Sequence, residues 1–184
     1  MSEIEPSVLL FSGPFAVRGS CSYSLSLAEH LPQKGIRSSV ICPDAGQVEA
    51  DRRRELHICE FSHLHLPLWN AVVMRMMLRS LQSDPPDLIH IQARNAAAQG
   101  MWLARRLERP YVLTVHDYLQ PREHFAIDPA WCRRIIAVSE SVKTDLRERT
   151  GLPFDLIDVI HSGVDTDESV SEATVLGGKR VPVV

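Results

Sequence analysis

The sequence has no long apolar run, no paired cysteines and no excess of basic charge. No stretch of the 184 residues reaches the ~18 apolar residues that a membrane-spanning helix needs. The opening apolar run, residues 8–11, is also too short for a secretory leader. The four cysteines, Cys21, Cys42, Cys59 and Cys132, show no Cys-x-x-Cys spacing. Reduced, mostly buried thiols in a cytoplasmic protein are therefore expected. The net charge of −3 supplies no global basic field of the kind nucleic acid demands. Three chemical signatures are missing as well. Gly-x-Gly-x-x-Gly would mark a dinucleotide fold, Gly-Lys-Ser/Thr a phosphate loop, and Gly-x-Ser-x-Gly a hydrolase elbow.

What is present is ordinary for a domain with a real core: 45% hydrophobic and 23% charged residues. Short apolar runs bounded by turn residues predict strands at 7–12, 36–42, 56–61, 87–91, 111–116, 134–138 and 156–160. Between them, apolar spacing predicts helices at 20–31, 67–81, 95–107 and 140–149, the last stopped by Gly151. Residues 43–55 read as a polar loop, and a helix is bracketed between the fifth and sixth strands. Strand–helix alternation of this kind predicts a Rossmann-like parallel sheet of about seven strands with helices on both faces. Right-handed crossovers then gather every strand's carboxyl end on one edge.

Three of those ends are polar. They read YVLTVHD at 111–117, RIIAVSE at 134–140 and LIDVIHSG at 156–163. Ligands of open α/β sheets bind at that edge, so His116, Asp117, Ser139 and Glu140 become candidates. An imidazole at 116 can hydrogen-bond a hydroxyl or act as a base. The competing reading is a histidine that only ties down its own loop. Asp117, the next residue along the strand end, is expected to point away from it. Ser139 and Glu140 read equally as a helix cap with an acidic first turn. The loop after the first strand, with Gly13, Gly19 and Ser20, could turn backbone N–H groups and a helix N-terminus toward an anion. Elsewhere, His63-x-His65 reads as a surface loop rather than a metal site, and His90 as a packed strand residue. The arginine runs 52–54, 105–106 and 133–134 read as solvated helix faces. Residues 67–81 combine a broad apolar set with Arg75 and Arg79, as an interfacial helix does. Their competing reading is a buried core helix.

Taken in order, these pieces resemble the N-terminal domain of retaining glycosyltransferases of family 4, half of a GT-B fold. The residues carrying the resemblance are FSGP at 11–14 leading to Gly19-Ser20, Leu31 to Gly35, PDLIHI at 86–91, PYVLTVHD at 110–117, IAVSES at 136–141 and VIHSGVD at 159–165. The resemblance implies an acceptor-side domain over residues 1–165, a linker at 166–179, and at 180–184 the start of a donor-binding domain. It implies transfer of a sugar from a nucleotide-sugar donor to a hydroxyl acceptor, with retention, once a donor domain is joined. His116 matches the family's strand-end histidine near the transferred sugar. Gly13, Gly19 and Ser20 match the loop beside donor phosphate and acceptor, and Gln92, Asp117, Ser139, Glu140 and Gly163 border the cleft. Gln92 stands where a second histidine often follows the fourth strand, and Ser162 where asparagine usually precedes Gly-Val-Asp. The implied partners are a nucleotide sugar, a hydroxyl acceptor and a second domain, with no resident cofactor, metal or nucleic acid. Peripheral contact with the inner face of a membrane is a further expectation. Two alternatives remain open: a non-catalytic Rossmann-like partner module, and half of a nucleotide-sugar epimerase.

Overall fold

The computed structural model describes residues 5–15, 19–62, 64 and 67–161. In chain order the elements are β1 (Ser7–Phe11), α1 (Gly19–His30), β2 (Arg37–Cys42), α2 (Ala50–Glu55), β3 (Ile58–Glu60) and α3 (Pro67–Gln82). They continue with β4 (Leu88–Ile91), α4 (Ala97–Leu107), β5 (Tyr111–Val115), β6 (Cys132–Ala137), α5 (Glu140–Thr150) and β7 (Ile157–Val159). All seven strands pair in parallel, in the order β3-β2-β1-β4-β5-β6-β7. The expected Rossmann-like sheet is therefore the observed one.

The register sorts side chains onto two faces, because successive residues of a strand point to opposite sides. Leu9 lies beside Ile89, Ile89 beside Tyr111, Ile91 beside Leu113, and Leu113 beside Ile135. This ladder is fully buried. It packs with Met74 and Met77 of α3, Leu103 and Ala104 of α4, and Val142 and Leu146 of α5. The opposite face carries Leu10, Val40 and Cys42, which pack with Ala28 of α1 and with Leu56. Burial pushes the Cys42 thiol up to about 12, and a thiol held protonated behaves as a small core hydrophobe. Helix α4 sits unusually close to the sheet. A Cβ on Gly100 would lie 2.5 Å from Ile91 Cδ1, so only glycine fits there without repacking.

Two connections differ from the sequence expectation. The polar stretch 43–55 contains α2, a six-residue helix. Charged residues of good helix propensity form it, and its arginines pair outward, Arg52 with Glu29, Arg53 with Glu60 and Arg54 with Asp51. That helix shortens β3, because the Leu56 N–H still bonds back to Arg52 and His57 takes a positive φ of 50°. The bracketed helix between β5 and β6 is replaced by an irregular strap, residues 116–131. Side chains hold it in place of helical hydrogen bonds. Tyr111 Oη accepts from the Asp128 N–H at 2.8 Å, and an Asp145 carboxylate oxygen accepts from the Leu119 N–H at 2.8 Å. The tail expected at 166–184, with Gly163 and His65, lies outside the described residues.

Candidate functional site

The strand order reverses direction at β1, whose two neighbours are β2 and β4. A crevice opens at such a switch point beyond the carboxyl ends of the strands. The loop after β1 forms one side of it, tied to β2 by the Ser12 N–H to Ile41 O and the Phe15 N–H to Asp44 O, both 2.8 Å. A cavity of about 380 Å³ lies there, lined by Ser12, Pro14, Asp44, Leu64, Asn95 and Gln99 among others. Gly13 faces the loop after β4. A Cβ on it would stand 3.5 Å from Ala93 Cβ and 3.6 Å from Asn95 Oδ1, ordinary contact distances. Packing therefore does not require glycine at 13. Gly19 and Ser20 open helix α1, and nothing is described of the Ser20 side chain.

Along the same edge, the ends of β5 and β6 frame a second cavity of about 500 Å³. His116, Asp117, Tyr118, Arg94, Ser139 and Ser141 line it. Three sequence candidates thus meet in one hollow. Asp117 lines the same hollow as His116 and its charge favours protonation of the ring, although no hydrogen bond joins the two. Burial outweighs that influence and holds the His116 imidazole below its ordinary value. The ring is neutral at pH 7. One nitrogen interacts with the Gln92 backbone, whereas Nε2 is buried and has no partner among the described residues.

Gln92, at the end of β4, is 1% exposed, and neither atom of its amide has a hydrogen-bond partner among the described residues. Its backbone is fixed, the N–H donating to Phe11 O at 2.9 Å. On the same side of the sheet, beneath His116, lies a small polar stack. His90 Nε2 is 2.7 Å from Thr114 Oγ1, and Tyr23 also hydrogen-bonds Thr114. The Tyr23 ring meets His116 edge-on with centroids 5.5 Å apart, and His90 at 6.2 Å. Burial drives the His90 imidazole down to about 4, with the His116 charge as a lesser cause. His90 is the packed strand residue the sequence suggested, and it also underlies the site.

Ser139 combines its two readings. It is the N-cap of α5, Oγ accepting from the Val142 N–H at 3.2 Å, and it lines the cavity. Glu140 occupies the first turn of α5, is exposed, and does not line the hollow. His161 turns back, with Nδ1 at 3.2 Å from Val138 O.

The sequence reading overlooked Arg94. Its guanidinium binds both carboxylate oxygens of Glu123 at 2.7 Å and donates to Tyr118 O at 3.0 Å. It thereby holds the strap over the cavity while lining it. Arg94 lies three residues beyond the end of β4, so the strand-end argument applied at 116 and 139 would have found it. Among the described residues, no three His, Cys, Asp or Glu side chains gather as metal ligands.

Residues 17–168 match the sequence profile of Glycosyltransferase Family 4. The chain belongs to glycosyltransferase family 4. The fold agrees with solved relatives, aligning with the N-terminal half of GT-B chains. Anabaena HepE, crystallised with UDP and glucose, superposes with a TM-score of 0.66 at 19% identity, over 87% of this chain and 45% of that one. A glycosyltransferase from Rickettsia africae gives 0.66 at 19% identity, over 88% and 44%. A UDP-N-acetylglucosamine 2-epimerase gives 0.56 at 16% identity, over 85% and 48%. The family 4 chain described here thus spans less than half the length of these structures. No curated protein matches its sequence.

Proposed function

We propose that this chain is the acceptor-side half of a retaining glycosyltransferase that moves a sugar from a nucleotide-sugar donor to a hydroxyl acceptor. The observation that carries the reading is the hollow at the ends of β5 and β6. There a neutral His116 with an unpartnered Nε2 stands beside the unpartnered amide of Gln92. Neutral hydrogen-bonding groups of this kind suit sugar hydroxyls. HepE was crystallised with UDP-glucose, which makes UDP-linked hexoses the first donors to test.

The proposed step is attack from the donor's leaving side. The acceptor oxygen bonds to the anomeric carbon as that carbon's bond to the diphosphate oxygen breaks. The acceptor proton passes to the departing phosphate, and the anomeric configuration is kept. Preorganised dipoles stabilise the charge that develops on the leaving group. The start of α1 at Gly19 contributes one such dipole. His116 and Gln92 hold the sugar, and the Tyr23–Thr114–His90 stack holds His116. The reading invokes no resident cofactor or metal, and a donor-binding half completes the cleft. These 184 residues alone are expected to be inactive.

Incubation of the full-length gene product with a panel of nucleotide sugars tests this. Sugar transfer with retained configuration, read by NMR, is expected, and His116→Ala should lower kcat by about 100-fold. Turnover that only epimerises the nucleotide sugar, without transfer, would move the assignment to the epimerase reading. Failure of every donor to turn over would leave the partner module.

A further inference from the structure

We propose that the outer face of α3 and α4 docks on an anionic phospholipid surface. Three of the exposed large hydrophobic residues lie on one helix: Trp69 at 57%, Val72 at 46% and Met76 at 58% exposure. Their spacing of three and four residues makes a single stripe along α3. The buried residues of the same helix, Met74 and Met77, point the other way into the core. The helix is thus apolar on both sides. The core accounts for one side only.

Charge says what covers the other side. Helices α3 and α4 carry Arg75, Arg79, Arg105 and Arg106 and no acidic residue, in a chain of net charge −3. Arg105 pairs with Asp128 at 3.2 Å, and arginines on other surfaces, among them Arg37, Arg52, Arg94 and Arg134, also pair with carboxylates. Arg75 and Arg79 have no such partner among the described residues, and they run along one border of the stripe. An apolar strip edged by unpaired arginines matches the boundary between acyl chains and anionic headgroups. A second copy of this chain fits poorly, since two-fold pairing sets a face against itself, and among the described residues no carboxylate pairs with Arg75, Arg79 or Arg106.

A groove of about 370 Å³ between α3 and α4 supports the same occupant. Asn70, Arg75, Gln99, Trp102 and Arg106 line it, and the Arg106 guanidinium lies 5.5 Å from the Trp102 ring centroid. Gln99 Oε1 is buried without a hydrogen-bond partner among the described residues. Gln99 also lines the crevice beside Ser12 and Asn95. Docking therefore brings the carboxyl edge of the sheet close to the bilayer. That the acceptor itself is membrane-borne rests on the transferase reading; the docking does not.

Flotation of the chain with vesicles tests the proposal without any enzymatic assay. It should float with phosphatidylcholine–phosphatidylglycerol vesicles, remain unbound with phosphatidylcholine alone, and be released by high salt. Trp69→Ser with Met76→Ser should abolish flotation and the blue shift of tryptophan fluorescence that accompanies it. Arg75→Gln with Arg79→Gln should lower partitioning about 30-fold, at roughly fivefold for each charge near an anionic surface. Both pairs are surface changes, so circular dichroism should match the parent. Absence of flotation with anionic vesicles, or flotation unchanged in both variants, overturns the proposal. So does a dimer in sedimentation that Trp69→Ser dissociates, since a second copy would then own the stripe.

Discussion

Leaving the Gln92 amide unpaired at 1% exposure costs about 1–3 kcal/mol relative to an apolar side chain of the same shape. Packing alone gives no reason for such a group, so its substitution should separate folding from function. Gln92→Met should raise stability in urea by about 1–2 kcal/mol. On the transferase reading, with a donor-binding half present, the same change should lower kcat/KM about tenfold, the worth of one good hydrogen bond. A loss of stability instead would mean that the amide is satisfied within the fold. Histidine 116 was legible in the sequence because a polar residue closing an apolar strand stands out. Tyr23 was legible only as a helix residue. Its place between His116 and His90 depends on how α1 crosses the sheet, which no local pattern records.

Helix α4 shows how a single atom governs an element. Gly100 permits the close seat on Ile91, and a methyl group there must displace a fully buried side chain. Gly100→Ala should destabilise the chain by about 1–3 kcal/mol despite its better helix propensity. A chemical unfolding curve measures this, and a gain in stability would show that α4 can lift without cost. The sequence carried most of the elements because buried parallel strands read as apolar runs bounded by turn residues. It missed α2, whose run of charges has no apolar period to betray a helix. It also suggested a helix before β6 where the strap lies. Short crossovers usually are helical, but here Tyr111, Glu123 and Asp145 hold the strap through side-chain contacts. Those contacts join residues 17 to 29 positions apart, beyond the reach of a periodicity argument.

At the scale of the molecule, the buried imidazoles set the response to acid. Histidine in an unfolded chain titrates near pH 6.5, whereas burial holds His90 at about 4. Between these values the unfolded state binds more protons than the folded one. Stability present above pH 6.5 is therefore lost as the pH falls toward 4, by on the order of 3 kcal/mol. His116 is shifted downward by the same cause and adds in the same direction. Melting temperatures measured across this range should fall, and His90→Gln should flatten the slope. A slope unchanged in that variant would assign the acid sensitivity elsewhere. The strap has a different consequence, for how such a protein changes over generations. It is pinned at Leu119 and Asp128, and its first residues, His116, Asp117, Tyr118 and Gln120, line the hollow without belonging to any helix or strand. Insertions and substitutions there alter the shape offered to a guest while the sheet folds as before. On the transferase reading proposed above, new acceptor preferences can therefore arise in the strap without first finding a new core.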